Sequence, residues 1–191
     1  SFRAIFSCGV MDALLDQDVM FPYCIGVSAG AADSASYISR QKERNLNMLL
    51  RYRNDKRYMG LRNYFKKEHS LFGVDFVFRK MPNVLFPFDM DTFQNYAGDY
   101  VVVTTDANTG KPHYFHKEDV DDRFDVICAS CALPVYFQAV HIGGGVYYDG
   151  GVSDPVPIRR LQRDGHHKAL IVLTRPEGYR KACGRSDRFA A

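Results

Sequence analysis

Two short motifs hold the residues whose types and spacing could do chemistry. Ser28 is the centre of Gly26-Val27-Ser28-Ala29-Gly30, and Asp149 opens Asp149-Gly150-Gly151. A serine hydroxyl can attack an acyl carbonyl once a neighbouring base takes its proton, so the pair suggests nucleophilic acyl transfer. The apolar run Phe21-Pro22-Tyr23-Cys24-Ile25 leads into the first motif and a helical pattern follows it. That is the context of a nucleophile elbow, in which a strand turns sharply into a helix and exposes the central hydroxyl. Gly26 and Gly30 would let strand and helix pass closely. The helix starting at Ala29 would aim its unpaired N–H groups and positive dipole end at the developing oxyanion, making the Ala29 N–H an oxyanion donor.

Two bases are compatible with the sequence. Asp149 closes an apolar strand pattern at a Gly-Gly turn, which would hold its carboxylate rigidly at a sheet edge and allow a serine–aspartate dyad. Asp149 followed by His166 or His167 also has the Ser, Asp, His chain order of a hydrolase triad. Against the triad, both histidines fall in the polar turn Arg163-Asp164-Gly165-His166-His167-Lys168. A single helix also precedes the elbow strand, where the triad fold has several strands.

The elements that must position these residues follow from periodicity. Helical spacing predicts a helix over Ala4 to Asp16, ending at Asp16-Gln17-Asp18, and a long helix from Ala29 to about Arg53. Its first turns are small residues suited to close packing on a sheet. Strands are predicted at Tyr23 to Val27, Tyr100 to Thr105, Pro112 to His116, Gln138 to Ile142, Val146 to Tyr148 and Ala169 to Leu173. Further helices are predicted at Phe124 to Cys131 and near Ile158 to Arg163. Asp106-Ala107-Asn108-Thr109-Gly110 and Gly143-Gly144-Gly145 read as hairpin loops, and Gly150-Gly151 as a tight turn made at positive φ. From Arg51 to Phe88 basic and aromatic residues mix over short helices and loops, as either a lid or ordinary core and surface. Alternating strands and helices predict an α/β three-layer (α/β/α) domain with a mostly parallel central sheet.

Composition narrows the function classes. With 191 residues and 46% hydrophobic content, one compact domain over residues 1–191 is expected. The net charge of +3, from 25 basic and 22 acidic residues of scattered sign, has no basic stripe for nucleic acid. Five cysteines, an odd number without disulfide-framework spacing, point to a reducing compartment such as the cytoplasm. No apolar run is long enough to span a bilayer, and no charged-then-apolar leader opens the chain. Cys128 and Cys131 form a Cys-x-x-Cys with no second pair or suitably spaced histidine, so they read as packed thiols, and no metal or other cofactor is expected.

Over most of its length the chain resembles the patatin-like phospholipases, in particular their bacterial branch. The resemblance rests on Arg3 to Asp12, Phe21 to Gly30, Thr105 to Gly110, Ala129-Ser130-Cys131-Ala132-Leu133-Pro134, Asp149 to Pro155 and Val172-Leu173-Thr174. It implies lipid acyl hydrolysis by a serine–aspartate dyad, with Ser28 matching the nucleophile and Asp149 the dyad aspartate. It implies an acyl-lipid substrate and contact with a membrane surface. The family's oxyanion loop, Gly-Gly-Gly-x-Arg-Gly, would align its arginine with Arg3, its third glycine with Ser1 and its last with Ala4. Its first two glycines are then expected before Ser1, and part of the domain beyond Ala191. A non-catalytic lipid binder with a degenerate loop is the alternative, since one lost oxyanion donor costs ~3 kcal/mol of transition-state stabilisation.

Overall fold

The computed structural model describes residues 3–58, 60, 63, 70 and 73–180. Helix α1 spans Ala4–Asp16 and strand β1 Tyr23–Val27. Then come α2 Ala29–Ile38, α3 Arg44–Tyr52, a wide π-type helix over Phe76–Leu85 and α4 Met90–Gln94. Strands β2 Asp99–Asp106 and β3 Pro112–His116 precede α5 Asp125–Cys131. The hairpin β4 Val140–Ile142 and β5 Gly145–Asp149 is followed by α6 Ile158–Arg163.

The sheet runs β1-β2-β5-β4, with β3 also paired to β2. The expected α/β layering holds, but among the described residues parallel pairing is confined to β1 with β2. The β2–β3, β2–β5 and β4–β5 pairs are antiparallel. Strand β2 forms the centre, with Tyr100 through Thr104 fully buried. Tyr100 and Val102 face a core shared with Ala31, Ala35 and Ile38 of α2 and Val126, Ile127 and Ala129 of α5. Side chains alternate along a strand, so Val103 and its neighbour Tyr114 face the other side. There the Arg160 guanidinium of α6 sits 4.6 Å from the Tyr114 ring, which gives helices on both faces.

The helix predicted to run unbroken from Ala29 to Arg53 is two helices. α2 ends where the Gln41 N–H reaches the Ser36 carbonyl (2.9 Å) and the Arg40 N–H the Tyr37 carbonyl (2.9 Å), with Arg40 at φ 56°. This is the hydrogen-bond pattern of a Schellman cap, made without the usual glycine. α1 ends the same way at Asp18, φ 49°, through Val19 N–H to Leu14 O. Gly143 and Gly144, at φ 54° and 83°, do make the two-residue β4–β5 hairpin.

The run Ala169–Leu173 does not form the expected strand. It is irregular, with Leu170, Ile171 and Leu173 about half exposed. It lies across a groove from β1, and without backbone pairing to β1 its N–H and C=O groups gain no ladder. The Arg51–Phe88 region lies only partly within the described residues; the rest of it falls outside them.

Candidate active site

Close packing of α2 on β1 builds the elbow. A Cβ on Gly26 would lie 2.5 Å from the Ala31 Cα, so only glycine lets the helix pass over the strand at this distance. Gly30 meets no such constraint, since a Cβ there would have nothing within 4 Å. Between them the chain reverses at Ser28, which has φ 55° and ψ −127°. A non-glycine residue in that region is strained, and such strain gathers at functional sites.

Strand register brings Asp149 to Ser28. Val27 pairs with Val103 in the parallel β1–β2 ladder, so Ser28 follows level with Thr104. Thr104 pairs along that same edge of β2 with Asp149 of antiparallel β5, its other edge being taken by His113 of β3. The two residues thus meet where the C-terminal ends of β1 and β5 come together along one edge of β2, and their side chains turn towards one another. The Asp149 carboxyl has its pKa raised by burial and held back by the neighbouring Ser28 side chain and the Gly151 N–H. Asp149 is 2% exposed, and its Oδ1 accepts from the Gly151 N–H at 2.7 Å.

Gly150 and Gly151 act differently from the sequence expectation. Neither adopts positive φ; they begin a short 3₁₀ turn. The physical demand is contact: a Cβ on Gly150 would sit 2.2 Å from the Val103 carbonyl oxygen. Glycine is needed so that the turn after Asp149 can lie against the central strand.

Ser130, which the sequence reading did not single out, ties the elbow to the sheet. Its hydroxyl donates to the Val103 carbonyl (2.7 Å) and accepts from the Ser28 N–H (2.8 Å), and it is fully buried. The Ser28 N–H is therefore engaged. The Ala29 N–H has no hydrogen-bond partner among the described residues and opens α2, as an oxyanion donor must. Arg3 is exposed immediately before α1, and its neighbour Ala4 lines the same cavity as Ser28.

That cavity, about 320 Å³, extends from Ser28 and Ala29 along α2. Its walls include Met48 and Leu49 of α3, Val77, Phe78 and Pro82 of the π-type helix, Phe88, and Ile127 of α5. The aromatic region therefore supplies part of the covering of Ser28. Cys131 lines the cavity too, and burial holds its thiol well above the ordinary range while its side chain meets that of Ser28. Among the described residues Cys8, Cys24, Cys128 and Cys131 form no disulfide; Cys183 lies outside them.

Among the described residues no histidine lines the cavity. His166 stacks on Tyr23 at 4.3 Å and lines the groove beside β1, and His167 is exposed. Among the same residues no cluster of three His, Cys, Asp or Glu could hold a metal ion, and no helix is long and apolar enough to cross a membrane.

A layered α/β sheet carries a strained serine between strand and helix, a buried carboxylate at the adjoining strand end and an apolar cavity beside them. The family model for patatin-like phospholipase matches residues 1–161, and the chain belongs to that family. It is also 28% identical over 181 residues, 91% of its length, to an uncharacterized Escherichia coli (strain K12) protein, YjjU. The chain spans about half of that relative, 49%.

Proposed function

We propose that the protein hydrolyses carboxylic esters of acyl lipids with Ser28 as nucleophile and Asp149 as base. The observation that carries this reading is Ser28 itself: a strained residue at a helix N-terminus, beside a buried carboxylate and opening into an apolar cavity. Asp149 accepts the Ser28 proton as Oγ bonds to the acyl carbon, and the Ala29 N–H and the α2 dipole stabilise the oxyanion. Arg3, one residue before the cavity-lining Ala4, adds positive charge on that side. Collapse of the intermediate releases the alcohol, which recovers the proton from Asp149. Asp149 then activates water to free the acid.

The acyl chain occupies the apolar cavity, where each buried methylene contributes up to ~0.8 kcal/mol. The position of His166 in the opposite groove favours the dyad over a histidine triad. A peripheral lipid surface is the proposed source of substrate, and vesicle binding that weakens with salt tests it.

A fluorophosphonate probe with peptide mapping tests the nucleophile, and a series of p-nitrophenyl esters from acetate upward tests the substrate class. Labelling should fall on Ser28 and vanish in Ser28→Ala. Asp149→Asn should lower turnover more than a hundredfold with the fold intact, and rates should climb with chain length. A label on another serine, or a strong preference for acetate, refutes the reading.

A further inference from the structure

The walls of the cavity beside Ser28 are mostly apolar, and the proposed reaction leaves unused their polar residues other than Ser28. Asp33 lies on α2 five residues past Ser28, about 7.5 Å further along the helix axis, and lines the same cavity. It is 6% exposed. Its Oδ1 accepts from the Cys8 thiol (3.2 Å) and from Asn45 Nδ2 (2.9 Å). Its Oδ2 is buried and has no hydrogen-bond partner among the described residues.

Arg44, on the cavity wall, does not neutralise it. Its guanidinium donates to Ser36 Oγ, Asn45 Oδ1 and the Phe86 carbonyl, and its Nε is buried without a partner. Among the described residues it forms no ion pair with a carboxylate, and Asn45 lies between it and Asp33. Asp33 and Arg44 thus line one mostly apolar cavity, and each carries a buried polar atom without a hydrogen-bond partner among the described residues.

A buried carboxylate oxygen without a partner is costly, and covering it with methylenes would keep that cost in the complex. A ligand carrying a second carboxylate would be repelled by Asp33, and an ammonium by Arg44. A neutral hydroxyl suits both, donating to the carboxylate and accepting from the guanidinium. Burial raises the Asp33 pKa to about 6, so the carboxylate is the prevailing acceptor at neutral pH.

We propose that Asp33 determines acyl specificity: its Oδ2 accepts a hydrogen bond from a hydroxyl on the acyl chain, so the cavity selects hydroxylated over unsubstituted acyl groups. The ligand's being an acyl chain rests on the proposed hydrolysis. The hydroxyl's position along the chain is set by the distance from Ser28 to Asp33, so one positional isomer should stand out. A hydrogen bond to a buried charge is enough for a preference of about tenfold.

The test uses the Ser28→Ala protein, which needs no turnover, and titration calorimetry with methyl decanoate and methyl hydroxydecanoates whose hydroxyl moves one carbon at a time. One isomer should bind about tenfold more tightly than methyl decanoate. Adding Asp33→Ala should abolish that preference while methyl decanoate still binds. Should Asp33→Ala not fold, Asp33→Asn should lower the preference below about threefold, because the bond is no longer charge-assisted. The proposal is overturned if every isomer binds no better than methyl decanoate, as when a water already satisfies Oδ2, if no ester binds, or if the preference persists in the variants. Absent hydrolysis in the wild-type protein would count against the proposed reaction and leave this binding comparison decisive for Asp33.

Discussion

Replacing Ser28 by glycine should make the protein more stable than replacing it by alanine, against the usual ranking of the two residues. At φ 55° and ψ −127° the Ser28 backbone occupies a region that a Cβ disfavours. Strain of this kind is worth about 2 kcal/mol. Both substitutions remove the hydroxyl and its interaction with Asp149, so that loss cancels in the comparison. Glycine relieves the strain but gives the unfolded chain more freedom, an offset of about 0.7 kcal/mol. The difference is about 1 kcal/mol in favour of Ser28→Gly, or ~3 °C in Tm for a chain of this size. Urea titrations of the two variants, with a shared m-value, measure it directly. A Ser28→Ala protein as stable as Ser28→Gly, or more so, would show that the elbow stores no strain, and the reasoning from its dihedral angles would fail.

Ser130→Ala should leave the Ser28 N–H and the Val103 carbonyl unpaired, lowering stability by about 2 kcal/mol. If Ser130 holds the elbow in register, kcat for p-nitrophenyl butyrate should fall at least tenfold with KM little changed; an unaltered kcat would make its role purely structural. Asp33 predicts a pH dependence. Its pKa is near 3.9 unfolded and raised by burial to about 6 in the fold. Between those values the folded state holds more protons than the unfolded one, so wild-type stability falls as pH rises from about 4 to 6. Asp33→Asn cannot ionise and should gain stability relative to wild type across that window in urea titrations, whereas a gap that stays constant with pH would contradict the burial argument.

What was legible in the sequence is what local physics dictates. The elbow strand and helix, the β2–β3 hairpin and the Gly143-Gly144 turn follow from side-chain period and glycine placement. Failures came where tertiary contacts decide. The end of α2 was missed because its cap uses Arg40 in a left-handed conformation where glycine is the usual signal. Ala169–Leu173 has a strand's composition, yet composition cannot supply a hydrogen-bonding neighbour. The mostly parallel sheet was inferred from alternating elements, but β3 and β5 both meet β2 antiparallel.

The same division runs through the site. At both Gly26 and Gly150 a Cβ would collide with backbone, but Gly150 answers to the Val103 carbonyl rather than to its own φ. Nothing near Gly150 in sequence could reveal that. Ser130 and Asp33 sit in helices whose neighbours are small or apolar, and in sequence each reads as filling. Their partners are remote: Ser130 joins residues 102 and 27 positions away, and Asp33 meets Cys8 and Asn45 from two other helices. A polar residue in a helical core pattern has to be satisfied by something, so the useful signal was its presence there at all. For Ser130 the structure supplies both partners; for Asp33, on the wall of the cavity that begins at Ser28, it supplies partners for one oxygen among the described residues.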